Sequence, residues 1–261
     1  MRVIYMGKNK PAVINGLAYL VKKNVQVAVV VASKEKQSDF CGESLVEAAA
    51  DLKIPKMTDT ELYRRLERKE KYFSKNIDLV ISFLFPKKIK KILIELPKIG
   101  CINFHPAPLP DFRGLGGYNI AIYKNINYWG VSAHFVDKTF DTGDIIEVIK
   151  FKINSRKETA ISLEQKSQLY LFKLFKKIVK IAIKKRFFPR IPQGKGRYIS
   201  KREYEELKII KSTDTLAEIE KKIRAFWYPP YLGASIKLRG KQFTIINQQV
   251  LKEIEKKYHK S

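Results

Sequence analysis

The run Val25-Gln26-Val27-Ala28-Val29-Val30-Val31 constrains the fold of this chain more than any other stretch. So many β-branched side chains leave no polar face to turn toward water, which fits a strand buried on both sides. Its surroundings agree. Residues 2–6 read as a short apolar strand stopped by Gly7, and residues 9–22 carry Val13, Leu17 and Leu20 on one helical face. Helices are expected over residues 43–52 and 60–68, the second capped by Thr58-Asp59. Residues 79–83 and 101–104 are further strands, separated by a helix over residues 87–96 that Pro97 and Gly100 end. This alternation predicts an α/β fold: a Rossmann-like, parallel or mixed sheet with helices on both faces and ligand at the carboxyl ends of its strands.

Further on, residues 118–124 read as a helix. Residues 130–136 alternate as a strand, and residues 144–151 answer it as an antiparallel partner across the Asp141-Thr142-Gly143 turn. Residues 162–185 form the longest helix, with Leu163, Leu169, Phe172, Phe175, Val179 and Ile183 near helical spacing. Pro189, Pro192, Gly194 and Gly196 mark a linker. The chain is therefore expected to divide into a main domain over residues 1–190 and a small C-terminal α+β segment over 191–261. The latter has a helix at residues 215–225, a Pro-Pro turn, and two hairpin-like strands around Arg239-Gly240.

A formal net charge of +26 invites polyanions such as tRNA, a nucleotide diphosphate or an anionic membrane face. Lysines such as Lys87, Lys88, Lys90, Lys91, Lys176, Lys177, Lys184 and Lys185 fall on the polar side of amphipathic patterns. They are not interleaved with exposed aromatics, so solvated helix faces account for them and nucleic acid is not expected as a partner. Lysines also interrupt every apolar run short of the ~20 residues a membrane span needs. The first fifteen residues enter a strand pattern without a small-residue cleavage site, so a cytoplasmic location is expected. Cys41 and Cys101 lack metal or redox spacing and fit reduced thiols.

The chemistry concentrates in Asn103-Phe104-His105-Pro106, Leu109-Pro110-Asp111-Phe112-Arg113-Gly114 and Phe140-Asp141-Thr142-Gly143-Asp144. Asn103 and His105 lie two apart in an extended segment, so both project to one side. Asp141 comes from another strand end. An amide, an imidazole and a carboxylate supply what acyl transfer to an amine requires: an oxyanion donor, a base, and a group that orients the base.

With Leu79-Val80-Ile81-Ser82-Phe83-Leu84-Phe85-Pro86 and Asp144-Ile145-Ile146 added, the stretch from Asp78 to Ile146 resembles the formyltransferases that use 10-formyltetrahydrofolate. The resemblance implies catalytic roles for Asn103, His105 and Asp141, with His134 supporting the aspartate and Asp144 a secondary candidate. It also implies Asn103 and a protonated His105 on the oxyanion, and no metal. Backbone at Phe83, Leu84, Phe85 and Pro86 and at Lys138, Thr139, Phe140 and Thr142 would hold the pterin.

Three branches of that family compete. The methionyl-tRNA enzymes read Asn-Val-His-Gly where this chain has Asn103-Phe104-His105-Pro106, and they carry a separate C-terminal barrel. The glycinamide ribonucleotide enzymes carry a Gly/Ser-rich phosphate loop, replaced here by Met6-Gly7-Lys8-Asn9-Lys10-Pro11. The sugar N-formyltransferases resemble the chain best, through His105-Pro106, residues 113–119, Gly196-Arg197-Tyr198 and residues 223–234. That branch implies transfer to a 3-amino or 4-amino dideoxy sugar on a nucleoside diphosphate for surface polysaccharide, by a homodimer. Trp227, Tyr228 and Tyr231 crowd a rigid turn and could stack a nucleobase. Lys8, Asn9, Arg113, Gly114 and Arg224 are the candidates around its diphosphate and sugar. A methionyl-tRNA formyltransferase and a non-catalytic nucleic-acid-binding protein remain the alternatives.

Overall fold

The computed structural model describes residues 1–32 and 44–258; Cys41 lies outside the described residues. The strands are β1 (Arg2–Gly7), β2 (Gln26–Ala32), β3 (Lys56–Met57), β4 (Leu79–Phe83), β5 (Gly100–His105), β6 (Arg113–Gly114), β7 (Tyr128–Phe135), β8 (Ile145–Lys152), β9 (Tyr198–Ile199), β10 (Ser235–Leu238) and β11 (Lys241–Thr244). The helices are α1 (Pro11–Lys22), α2 (Leu45–Asp51), α3 (Asp59–Glu67), α4 (Lys71–Ser74), α5 (Lys91–Glu95), α6 (Gly117–Tyr123), α7 (Ala160–Lys185), α8 (Lys201–Leu207), α9 (Leu216–Phe226) and α10 (Gln248–Tyr258). The main sheet runs β3-β2-β1-β4-β5-β7-β8. It is parallel from β3 to β5 and turns antiparallel at β7, the mixed α/β architecture that the residue pattern predicts.

Two compact units make up the chain. The first holds Met1–Arg113, Gly130–Lys150 and Ser167–Arg197; the second holds Gly114–Trp129, Phe151–Lys166 and Tyr198–Ser261. In the first, side chains alternate between two helical layers, as a doubly covered sheet requires. Ile4, Met6, Val80 and Cys101 pack toward α3, α4 and α5 with Leu62, Leu66, Phe73 and Leu93. On the opposite side Phe83 stacks on Phe175 of α7 at 5.1 Å, and Phe104 leans on the same ring at 5.1 Å. All three rings are fully buried, each contributing about 1.5–3 kcal/mol. Phe104 thus anchors the middle of β5 to α7, and Asn103 and His105 on either side of it must face the other way.

Element ends differ from expectation for local reasons. The first helix starts at Pro11, whose fixed φ suits the opening turn, because Lys10 is extended. The helix expected from residue 87 begins at Lys91: the Lys90 amide donates to the Tyr63 hydroxyl (2.9 Å), so residues 87–90 stay outside the helix. In α7 the first turn reaches back to Ala160, where the Ser162 amide donates to Thr159 Oγ1 at 3.2 Å. The second unit has its own small core of Ile223, Ala234 and Val250, flanked by Trp227 and Ile254. There α9 carries a complete capping box between Thr215 and Glu218.

Candidate active site

Three adjacent strands place one polar row across the sheet: Ser82 on β4 is in register with Asn103 on β5, and Asn103 with His134 on β7. The row is hydrogen-bonded throughout. Ser82 Oγ donates to Asn103 Oδ1 (2.7 Å), and Asn103 Nδ2 donates to His134 Nε2 (3.1 Å). Because Nε2 accepts, the His134 proton sits on Nδ1, which donates to the Phe135 carbonyl at 2.7 Å. The Asn103 carboxamide is thereby fixed in orientation, with one N–H used and the second left for a ligand. Neither Ser82 nor this tautomer-setting chain was legible beforehand, since a serine in an apolar strand carries no signal of its own.

His105 ends β5 and is 6% exposed. Its Nε2 donates to the Phe112 carbonyl (2.8 Å), so the neutral ring presents a lone pair on Nδ1. That nitrogen lies 3.5 Å from Asp141 Oδ1, and the same oxygen is 3.6 Å from His134 Nε2. Burial holds His105 below the usual histidine range, outweighing Asp141, which raises it. Asp141 adopts left-handed backbone at φ 56°, an uncommon conformation that a surrounding turn must sustain. Gly143 is required two residues later, because a side chain there would meet the Phe135 carbonyl oxygen at 2.0 Å. Burial therefore favours the neutral form of the His105 ring in this arrangement.

A narrow cleft of about 50 Å³ opens over this row. Phe85 and Ile89 line one wall, and Thr139, Phe140 and Asp141 the other. Asp137 organises the second wall: its carboxylate accepts from the Thr139 amide (2.9 Å) and from Thr142 Oγ1 (2.8 Å). Asp137-x-Thr139 is an Asx-turn spacing, so this residue could have been found from sequence. Among the expected pterin contacts, Phe85, Thr139 and Phe140 line the cleft. Phe83, expected to contribute its backbone, has its side chain buried in the core against Phe104 and Phe175. Leu84, at φ 57°, turns the backbone out of β4, and Pro86 is exposed beyond it. Lys138 and Thr142 belong to the Asp137 turn without lining the cleft. Among the described residues no group of three or more His, Cys, Asp or Glu side chains is disposed to hold a metal.

The expected nucleotide and sugar residues divide between the two units. In the first, Asn9 Oδ1 accepts from the Leu45 amide (3.0 Å), and Lys8 is half-buried beside it. Gly7 packs against Val13, which a Cβ would approach to 2.4 Å, so close β1–α1 packing explains this glycine. Arg113 is held by its neighbours: Nε and Nη2 donate to Gln193 Oε1 at 3.2 and 2.8 Å, and Nη2 also to the Gly194 carbonyl at 3.0 Å. Asp144 pairs with Arg190 (3.3 Å). In the second unit Gly114, at φ 82°, packs under the Tyr198 ring. Tyr228 and Tyr231 are stacked, with centroids 6.1 Å apart, and Tyr231 remains 63% exposed. Trp227 is half-buried on the small core. Arg224 Nε is buried with no hydrogen-bond partner among the described residues, a donor that a ligand oxygen would satisfy.

Residues 1–175 match the family model described as Formyl transferase. A methionyl-tRNA formyltransferase of Prochlorococcus marinus is 27% identical over 99% of the chain and 81% of its own length. The chain spans about half the length of several other curated relatives, 50% for a Clostridioides difficile methionyl-tRNA formyltransferase at 30% identity over 59% of the chain. Among solved structures, the sugar 3N-formyl transferase WlaRD, determined with dTDP and 5-N-formyl-THF, is 25% identical with a TM-score of 0.72, covering 93% of this chain and 84% of that one. A 4-N formyltransferase from Francisella tularensis shares the fold, with a TM-score of 0.75 at 21% identity over 94% and 96% of the two chains.

Proposed function

Within the formyl transferase family, to which this chain belongs, we propose that it moves a formyl group from 10-formyltetrahydrofolate to the amino group of a nucleotide-linked amino sugar. The observation that carries the transfer chemistry is the convergence of Asn103, His105 and Asp141, with one Asp141 oxygen within 3.6 Å of two imidazoles. The acceptor amine attacks the formyl carbon, the new C–N bond forms, and the bond to the folate nitrogen breaks. As the formyl oxygen gains charge, the second N–H of Asn103 donates to it; a donor of this kind contributes about 3–4 kcal/mol. The amine proton goes to His105 Nδ1, where it completes a hydrogen bond to Asp141 that the resting 3.5 Å gap lacks. The departing folate nitrogen is then reprotonated from the same pair.

On this reading the formyl group enters the cleft of about 50 Å³ over Asn103. The sugar acceptor is supported by the likeness to WlaRD, and by the exposed Tyr231 ring and orphan Arg224 Nε, which suit a base and a phosphate. The reading includes a homodimer working in the cytoplasm. A tRNA acceptor is the second reading, favoured by the near full-length match to the Prochlorococcus enzyme. A coupled assay separates them: 10-formyltetrahydrofolate offered with nucleotide-linked 3-amino and 4-amino dideoxy sugars, and separately with initiator methionyl-tRNA. Turnover with at least one sugar and none with tRNA is expected. Formylated tRNA with the sugars inert would replace the sugar by tRNA.

A further inference from the structure

Gln193 stands in the segment between α7 and β9, outside every motif discussed so far, yet it is bonded toward both reacting side chains. Its Nε2 donates to the backbone carbonyls of Asp141 (3.1 Å) and Gly143 (2.6 Å). Its Oε1 accepts twice from Arg113, the residue after Phe112, whose carbonyl holds His105. The segment is itself secured. Ile191 exchanges two backbone hydrogen bonds with Ile145 (2.8 and 3.0 Å). At Gly196 a Cβ would meet the Pro110 carbonyl oxygen at 2.0 Å, so the chain passes directly over the loop that bears Phe112.

We propose that Gln193, braced by Arg113, is a positioning residue that sets the spacing between Asp141 and His105. The proposal rests on reading those two as the reacting pair. The geometry accounts for the left-handed Asp141 backbone, since both carbonyls of that turn end on one amide group. It also gives Arg113 a function other than phosphate binding: its planar guanidinium fixes which end of the Gln193 carboxamide faces the turn. His105 faces charge or polarity from three elements: Asp141 in the turn, His134 on β7 and the Phe112 carbonyl. Of these, Asp141 is tied to Gln193 directly through its backbone carbonyl, and the Phe112 carbonyl only through the adjacent Arg113.

Two variants test this. Gln193→Met keeps the length and removes every hydrogen bond, while Gln193→Glu keeps the acceptor for Arg113 and removes the donor to the turn. Each is compared with Asp141→Asn for kcat and KM, using 10-formyltetrahydrofolate and whichever nucleotide-linked amino sugar the wild-type chain turns over. The His105 ring resonances are titrated by NMR in parallel. Both Gln193 variants should lose kcat about 10- to 100-fold, the penalty of an ångström-scale misplacement, with KM for the folate within about twofold. Their His105 titration should move to lower pH, because the carboxylate that raises it is no longer held. Wild-type kcat and titration in a folded Gln193→Met, beside an inactive Asp141→Asn, would overturn the positioning role and leave the reacting pair standing. A fully active Asp141→Asn would instead sink the reacting pair, and the NMR titration alone would then decide whether Gln193 places the carboxylate.

Discussion

At single-residue resolution the site is a set of assigned protons. Asn103 can stabilise an oxyanion because Ser82 and His134 fix which way its amide points. Asn103→Ala should lower turnover about 10²- to 10³-fold. It leaves a serine hydroxyl and an imidazole nitrogen without their partner, so thermal unfolding should show a loss of about 1–3 kcal/mol and a still folded chain. Near-normal turnover in that variant would remove Asn103 from the chemistry. With His105 as the base of the proposed mechanism, the pH prediction has a definite sign. Burial lowers it from the ordinary 6.5, so the active neutral form persists below that pH and the acid limb of kcat/KM has its midpoint there. Asp141→Asn removes a charge that raises His105, so the limb should move further down while the plateau collapses; an upward move would contradict the geometry. In stability the same group binds fewer protons folded than unfolded, so its contribution falls as pH drops through 6.5 toward the lowered value.

Among the secondary-structure elements, the backbone of the site depends on turns more than on strands. At Gly143 an added methyl would collide with the Phe135 carbonyl, which is main chain and cannot swing aside. Gly143→Ala should therefore cost about 1–3 kcal/mol by denaturant titration and displace Asp141, abolishing activity at temperatures where the variant is folded. A fully active, equally stable variant would show that the turn tolerates relocation. Strands such as β2 and β4 were legible because β-branched runs leave little else for the chain to do. The two-residue β3 was not, since its pairing with Val30 and Val31 is purely tertiary. Missing α8 has a plainer cause: it buries no side chain, so there is no apolar period to read, although Ser200-x-x-Glu203 was an available capping signal. At the site, Asn103, His105 and Asp141 were readable as residue types. Ser82 and Gln193 were not, because their importance comes from register and from a segment that returns 52 residues after Asp141.

Viewed as a whole molecule, the chain carries +26 formal charge, and its distribution is physical rather than diffuse. A groove of about 750 Å³ between α1 and α7 is lined by Lys22, Lys23, Lys173, Lys176, Lys177 and Lys180 together with Tyr19 and Phe172. Lysines and aromatics are neighbours here, although Tyr19 and Phe172 are half-buried rather than exposed. The rings are not free to stack a base: they meet edge to face at 6.3 Å, with Lys23 5.9 Å from the Tyr19 centroid and Lys176 4.7 Å from that of Phe172. Glu147 pairs with Lys177, while the other five lysines have no carboxylate partner among the described residues. Five unpaired cations predict attraction to duplex DNA without sequence preference, with log K falling against log salt at a slope of about −4 to −5. Such binding should vanish near physiological salt, where the Debye length is about 8 Å. Reversing Lys173, Lys176 and Lys180 to Glu should flatten the slope and leave formyl transfer unchanged, because the groove shares no residue with the cleft over Asn103. Tight binding that survived physiological salt, or a variant that lost formyl transfer along with DNA affinity, would mean that the lysines serve a nucleic-acid substrate.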